Sequence, residues 1–447
     1  MANFKICRRD FIKFGSLTFA GLALDKLFAG ESAEVKKGPK SEPRAKAVIQ
    51  IFLAGGPCHI DTFDPKPNAG REIIGPYTKA IATNVDGIEI SQTMPLTAKL
   101  ADKYSIIRGM THGDNSHEVS TYMMLSGMPP GGELVYPSMG SVISYLNREK
   151  TKNAAVPAFI SVMNPYARFD ESGFIGESGR SFAASGIISN ADLNYEKASA
   201  KTKRKAAAVD ISDRRKLLEE LDTLDGTLTK EMSDISSQRQ MAYSMIVGKG
   251  KEAFDLSREP DSVREKYGSV RGFGQQLLLA RRLVEAGATY VNVMLNGWDT
   301  HKKHFEAMEI LLPALDKAYA ALLGELSERG LLQSTIVTLG GEFGRTPKIM
   351  YNSPWMGGRN HFGPAFSWVV AGGGFKGGSV VGQTDKNGEK VIARPVYPWD
   401  LSQSIYKLMG IDINAKLPHP TGCVACVLPP EIRARQSGGI LSEIMEG

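Results

Sequence analysis

Short apolar runs, each closed by a glycine-rich or polar loop, recur along this chain. Residues 47–54 read Ala-Val-Ile-Gln-Ile-Phe-Leu-Ala and stop at Gly55-Gly56-Pro57. A brief apolar run bounded by turn residues predicts a buried strand. The same pattern predicts strands over 105–108, 156–162, 288–295, 335–339 and 365–371. Between them, residues 275–286, 305–329 and 400–409 place apolar side chains at helical spacing. Gly287 and Gly330 stand where the first two of these helices should stop. Strands alternating with helices predict an α/β architecture on a largely parallel sheet.

Two stretches depart from the alternation. Residues 164–195 are rich in Gly, Ser and Asn and predict a long surface excursion, a class of loop that often carries function. Residues 196–260 predict a helical insertion. It opens on a basic run, Lys197 to Lys205, read as solvated. Leu217, Leu218, Leu221, Leu224 and Leu228 then recur as a core-facing stripe.

Composition narrows the class. The chain has 447 residues, of which 42% are hydrophobic and 23% charged, with a formal net charge of +6. That is globular composition, and the charge is too small and too scattered for a nucleic-acid binder. The N-terminus reads as a leader: Arg8-Arg9-Asp10-Phe11-Ile12-Lys13, an apolar stretch from Phe14 to Leu24, then small residues through Ala33. The arginine pair resembles a twin-arginine signal. The expectation is a signal peptide over 1–33, a solvated linker over 34–46 and one large domain over 47–447. The partner of the leader is the twin-arginine export machinery, and the destination is the periplasm or the exterior. Beyond the leader no apolar run approaches the ~18 residues of a membrane span, so no stable span remains after cleavage. Outside the leader the cysteines are Cys58, Cys423 and Cys426, which is no disulfide framework. Cys423 and Cys426 are read as a local disulfide or two free thiols.

The polar residues with chemistry cluster after the predicted strands. The sets are His59/Asp61/Asp64, His112/Asp114/Asn115/Ser116/His117, Asp299/His301/His304 and Glu342/Arg345, with Asn360/His361 before the strand at 365–371. In open parallel sheets, ligands bind outside the carboxyl ends of the strands, so these sets are expected to converge. Mixed imidazole and carboxylate donors suit zinc, manganese or iron, and calcium where oxygen predominates. Arg108 and Arg345 also stand at strand ends, and a guanidinium matches phosphate, sulfate or carboxylate.

Several longer motifs carry a resemblance. They are Gly55-Gly-Pro-Cys-His-Ile-Asp-Thr-Phe-Asp-Pro-Lys-Pro67, Arg108-Gly-Met-Thr-His-Gly-Asp-Asn-Ser-His117, Leu278-Leu-Ala-Arg-Arg-Leu-Val-Glu-Ala-Gly287, Trp298-Asp-Thr-His301 and Gly341-Glu-Phe-Gly-Arg-Thr-Pro347. Together they resemble the bacterial exported domain of unknown function 1501 family, which is similar to sulfatases and the alkaline-phosphatase superfamily. His361-Phe-Gly-Pro-Ala-Phe-Ser-Trp-Val-Val-Ala-Gly resembles that superfamily's late metal-ligand histidine with its following strand. Asp400-Leu-Ser-Gln-Ser-Ile-Tyr-Lys-Leu-Met-Gly-Ile411 resembles its closing helix.

The resemblance implies a three-layer α/β/α sandwich and an exported, metal-dependent hydrolase of sulfate or phosphate esters of a small molecule or glycan. His59, Asp61, Asp299, His301, Glu342 and His361 would hold or surround a divalent ion such as zinc, manganese or calcium. Ser116, which resembles the nucleophile turn of superfamily mutases, or a metal-bound water would be the nucleophile, with Ser120 and Thr121 as weaker candidates, and His117 would be the acid/base. Arg108 or Arg345 would hold the anionic ester. The sequence also departs from the family pattern. The sulfatase formylglycine motif is missing before Leu125-Ser126-Gly127, Gly55 stands where an Asp should follow the first strand, and Glu342 replaces a later Asp. The alternative is a non-catalytic binding protein on the same fold, for acidic or sulfated glycans; a third reading is a structural component of an exported assembly.

Overall fold

Every residue of β1 (Ala47–Ala54) is buried, because this strand lies inside an eight-stranded sheet covered on both faces. Successive side chains of a strand point to opposite faces. Ile49, Ile51 and Leu53 accordingly join one hydrophobic core, and Val48, Phe52 and Ala54 the other. The structure is a computed structural model. It describes residues 43–131, 135–151, 154–162, 172–184, 249–268, 272–419, 422 and 425–446.

The other strands of the sheet are β2 (Tyr104–Met110), β3 (Phe159–Val162), β4 (Phe182–Ala183), β5 (Tyr290–Asn296), β6 (Thr335–Gly340), β9 (Phe366–Ala371) and β10 (Ser379–Val381). A hairpin of β7 (Gly344–Arg345) and β8 (His361–Phe362) lies between β6 and β9 in the chain. The order across the sheet is β10-β2-β9-β6-β1-β5-β3-β4. β1 runs parallel to β5 and β6, and β3 runs parallel to β4 and β5. β9 is antiparallel to both of its neighbours, β2 and β6.

Helices fill the two outer layers. On one face lie α3 (Phe273–Glu285) and α4 (His304–Glu328), whose Leu277, Leu278, Leu315 and Leu322 pack against Ile49 and Val291. On the other lie α1 (His117–Ser126), α2 (Met139–Thr151) and α5 (Pro398–Leu408), which bring Met124, Val142, Ile143 and Leu401 against Val48 and Phe52. The architecture is the expected three-layer α/β/α sandwich on a largely parallel sheet.

Boundaries differ from expectation by a few residues, for local reasons. β3 starts after Pro157, which has no N–H for a ladder. α5 starts earlier than expected, with Pro398 in its first turn and a capping box between Tyr397 and Asp400. Within the expected excursion 164–195, Phe182–Ala183 is no surface loop but an edge strand beside Ile160 and Ser161. The folded part begins before residue 47: Ala45 is buried, and the N–H groups of Arg44 and Ala45 donate to the Leu408 carbonyl at 3.0 Å. The leader, the leucine stripe 217–228 and Cys423 lie outside the described residues; Cys426 carries a free thiol. Of the insertion, residues 249–260 are described and include a short helix, Lys249–Phe254.

The face carrying α1, α2 and α5 is tested through Phe52, which is 0% exposed and stands edge-on to Trp368 at 6.4 Å. Phe52→Ala should lower the unfolding free energy by about 3–5 kcal/mol in urea titrations. A loss below about 1 kcal/mol would mean that this face is not packed.

Candidate metal centre

The site is assembled from the carboxyl-terminal edge of the sheet. β5 runs into Gly297 and the fully buried Trp298, and the chain then presents Asp299, Thr300 and His301. β6 runs into Glu342 and then the β7–β8 hairpin, which sets His361 opposite Arg345. Because β9 runs antiparallel, its start lies at the edge where the parallel strands end; Phe366 pairs with Met110, the last residue of β2. That direction explains why His361, which precedes its strand, still arrives at the site. β2 leads through residues 111–116 to α1, which starts at His117.

Four rings and two carboxylates meet there. The Nε2 atoms of His301 and His361 lie 2.9 Å apart. Asp299 Oδ1 is 3.1 Å from the first and 3.0 Å from the second. His117 Nδ1 is 2.8 Å from Glu342 Oε1, and its Nε2 is 3.4 Å from Asp299 Oδ2. Phe343 stacks on His361 with ring centroids 4.4 Å apart. One ligand atom each from His117, Asp299 and His361 fall within 4.8 Å of one another.

The hydrogen bonds on the far sides of the rings assign their protons. His361 Nδ1 lies 2.8 Å from the Asn115 carbonyl, which only accepts, so this nitrogen carries the hydrogen. His301 Nδ1 donates in the same way to Asn360 Oδ1 at 3.0 Å. Both Nε2 atoms face each other and the Asp299 carboxylate. Arrays of this kind, with the outer ring nitrogen donating, orient histidines for metal ligation.

Charge is balanced tightly. Burial raises the Asp299 carboxyl, but hydrogen bonding and charge from Arg345 outweigh it and hold the group well below the usual carboxylate range. The hydrogen bond that His117 donates to Glu342 raises this ring above the ordinary histidine value, against partial burial. Burial lowers His361, with Asp299 opposing. Glu342 accepts the Gly55 N–H on both oxygens, at 2.8 and 3.1 Å. Gly55 itself has φ +110°, and a Cβ there would come 2.2 Å from the Asp299 nitrogen. No side chain fits at this position, which is why the expected Asp after the first strand is a glycine.

Asp299, His301, Glu342, His361, His117 and Arg345 thus come together. Ser116 sits beside them, exposed at the N-cap of α1, with its own N–H donated to Asp114 Oδ1 at 2.7 Å. His59, Asp61 and Arg108 make their contacts elsewhere. The Cys58–Asp64 segment turns back on itself, with the N–H groups of Thr62 and Asp64 donating to the His59 carbonyl. His59 is buried and donates from Nε2 to the Gly388 carbonyl at 2.9 Å. Arg108 donates to the carbonyls of Phe63 and Glu89, at 2.8 and 2.6 Å. Arg345 is at the site but is no anion clamp: its guanidinium is fully buried and donates to the carbonyls of Gly55, Gly56 and Arg359 and to Asp299.

Asp61 belongs to a buried tier beneath the centre. Its Oδ2 accepts from His304 Nε2 at 2.7 Å, and its Oδ1 faces Arg359 Nη2 at 3.3 Å. Burial lowers His304, so this ring is neutral near pH 7, and its Nδ1 accepts the Thr300 hydroxyl at 2.6 Å. The Arg359 N–H donates to the Thr300 carbonyl. This tier ties the loop bearing Asp299 and His301 to the strand bearing His361. Arg359 escaped the sequence reading; its place two residues before His361, after Gly357-Gly358, is the signal that was available.

Asp61 gives a pH-dependent prediction. Burial raises its carboxyl, and the charge of Arg359 with the His304 hydrogen bond more than offsets this, leaving it below its ordinary value. A depressed carboxyl contributes stability above its unfolded value of about 3.9, and that contribution is lost as pH falls through the folded value. Asp61→Asn leaves Arg359 without its buried counter-charge and should cost about 3–5 kcal/mol at pH 7. The gap should narrow below about pH 4 in paired urea titrations; a gap independent of pH would refute the assignment.

Among solved structures, the chain is similar to the lipoteichoic acid synthase LtaP from Listeria monocytogenes, at 8% identity over 87% of this chain and 76% of that one, with a TM-score of 0.39. It is similar to the PsFucS1 sulfatase from Pseudoalteromonas sp., at 11% identity over 82% and 68%, with a TM-score of 0.35. It is also similar to alkaline phosphatase from the Antarctic bacterium TAB5, at 11% identity over 83% and 99%, with a TM-score of 0.34. All three are distant. No curated protein matches the sequence. The sequence profile described as "Protein of unknown function (DUF1501)" matches residues 45–423, and the chain belongs to that family.

Proposed function

We propose that this protein is a metal-dependent hydrolase of phosphate or sulfate esters, with Asp299, His301 and His361 holding the ion. One observation carries the proposal: two imidazole Nε2 atoms and a carboxylate oxygen converge to within 3.1 Å of one another, while both outer ring nitrogens donate away from the centre. Three ligand atoms brought that close suit a cation shared between them. With nitrogen donors outnumbering oxygen, the set suits zinc better than manganese or calcium. When bound, such an ion polarises the ester oxygen and offsets charge developing there.

The chain's own residues supply the rest. Glu342 orients His117 through Nδ1, leaving Nε2 turned toward the site. Ser116, adjacent and exposed at the start of α1, is the proposed nucleophile. His117 accepts its proton, and returns it to the serine oxygen when water attacks phosphorus or sulfur and breaks the bond to Ser116. The N-terminus of α1 favours the anionic group electrostatically. Arg345 positions Asp299 rather than gripping substrate.

A second reading is favoured by the commitment of both guanidiniums, Arg108 and Arg345, to the protein itself. It is a metal-bearing, non-catalytic receptor for acidic or sulfated glycans. Zinc-loaded protein is assayed with phosphate and sulfate monoesters. Asp299→Ala should lose metal and turnover together, and Ser116→Ala should keep metal while kcat/KM falls by roughly 100-fold or more. Metal binding without turnover, together with retention of a sulfated glycan, would replace the hydrolase by the receptor.

We also propose export by the twin-arginine route to the periplasm or beyond, from Arg8-Arg9 and the apolar stretch behind it. Changing both arginines to lysine should leave the full-length chain in the cytoplasmic fraction. An unchanged distribution between fractions would rule this route out.

A further inference from the structure

We propose that Trp355, with the exposed Met356 beside it, forms a platform for the ring of the ester's leaving group. This rests on the hydrolase reading and names the class of ester it would take: one whose alcohol is an aryl or sugar ring with an apolar face.

The placement follows from the rings of the centre. His117 and His361 have centroids 4.3 Å apart, His361 and His301 4.6 Å, and His301 and Trp355 6.2 Å. Among the described ring pairs, Trp355 touches the centre through His301 alone. His117 adjoins His361 in this path, and Trp355 adjoins His301. The transferred group is the same in every such ester, so a ring beside the centre meets the alcohol, the part that varies. In transfer of a phosphoryl or sulfuryl group, attacking and leaving oxygens lie roughly in line. In that step the oxygen of Ser116 bonds to phosphorus or sulfur, its proton passing to His117. The bond to the alcohol oxygen breaks, and the alcohol leaves with the bonding pair and takes a proton from water.

The loop is held for this purpose. Residues 346–360 join β7 to β8, the strands bearing Arg345 and His361. Met350 bridges to Gly358, closing the loop. The Trp355 carbonyl accepts the Lys303 N–H at 3.2 Å, and a Cβ on Gly358 would lie 1.8 Å from the His301 carbonyl oxygen. The loop is therefore pinned against the segment that carries His301. Two of its apolar side chains are open to solvent: Tyr351 is 58% and Met356 60% exposed. Met356 also holds φ +48°, a conformation that side-chain-bearing residues adopt rarely and retain mostly at functional sites. An aromatic ring stacks on the flat face of another ring, so Trp355 beside His301 is suited to hold one there.

The test compares phenyl, glucose-6-yl and methyl monoesters of phosphate and of sulfate on zinc-loaded enzyme. In Trp355→Ala, the kcat/KM ratio of the ring esters to the methyl ester should fall roughly three- to tenfold, through KM, and Trp355→Phe should restore most of it. The ratio is taken within one preparation, so any loss of folded protein cancels. Unchanged ratios for both ring esters would overturn the proposal; a fall for one alone identifies the ring. If the native chain cleaves none of these esters, the hydrolase reading fails, and calorimetric titration still reads the platform. Tighter binding of phenyl than of methyl phosphate, abolished in Trp355→Ala, upholds the ring subsite; equal binding of the two dismisses it.

Discussion

The Asp299 carboxylate is shared between a fully buried guanidinium and two imidazole nitrogens, and the rest of the site depends on that sharing. Arg345 cannot leave the interior: its other hydrogen bonds go to main-chain carbonyls of Gly55, Gly56 and Arg359. A buried cation without a counter-charge is severely destabilising, so the fold keeps Asp299 ionised and in place. The same oxygen that neutralises Arg345 then faces His301 and His361. A structural ion pair inside and an exposed ligand set outside are two sides of one residue.

Below this lies a second carboxylate with no exposed role. Asp61, Arg359, His304 and Thr300 form a buried network connecting the segment after β5 to the hairpin before β9. Such networks cost desolvation and are stabilising only when every member is paired. Their value here is geometric. Ligands that must approach within about 3 Å of one another repel in the absence of an ion, so the surrounding protein has to hold them there. The buried tier supplies that restraint from two directions.

Much of the fold was legible because burial has a short period. The strands at 47–54, 288–295 and 335–339 are apolar on both faces, and both faces are covered. Glycines closed the helices where expected, at Gly287 and Gly330. Of the three helices on the opposite layer, α1 and α2 carry weaker patterns: α2 begins Met-Gly-Ser-Val-Ile-Ser, and its serines are buried rather than exposed. Polar side chains that pack inside a helix layer erase the contrast on which periodicity relies.

The candidate site was legible to the level of loops. Polar sets after the strands do converge, and Asp299, His301, Glu342 and His361 were named among them. His59 and Asp61 carried equally suggestive chemistry, yet a tight turn over 58–64 directs them inward, and Arg108 is taken up by the carbonyls of Phe63 and Glu89. The chain by itself determined which segments become strands, which edge their polar ends share and which residue types gather there, since these follow from local alternation and chain connectivity. Only the tertiary structure decided which of those groups meet, because that depends on the reversed direction of β9, on the turn after Gly55 and on a buried arginine whose partners are distant carbonyls. Those are contacts across hundreds of residues, and no local pattern encodes them.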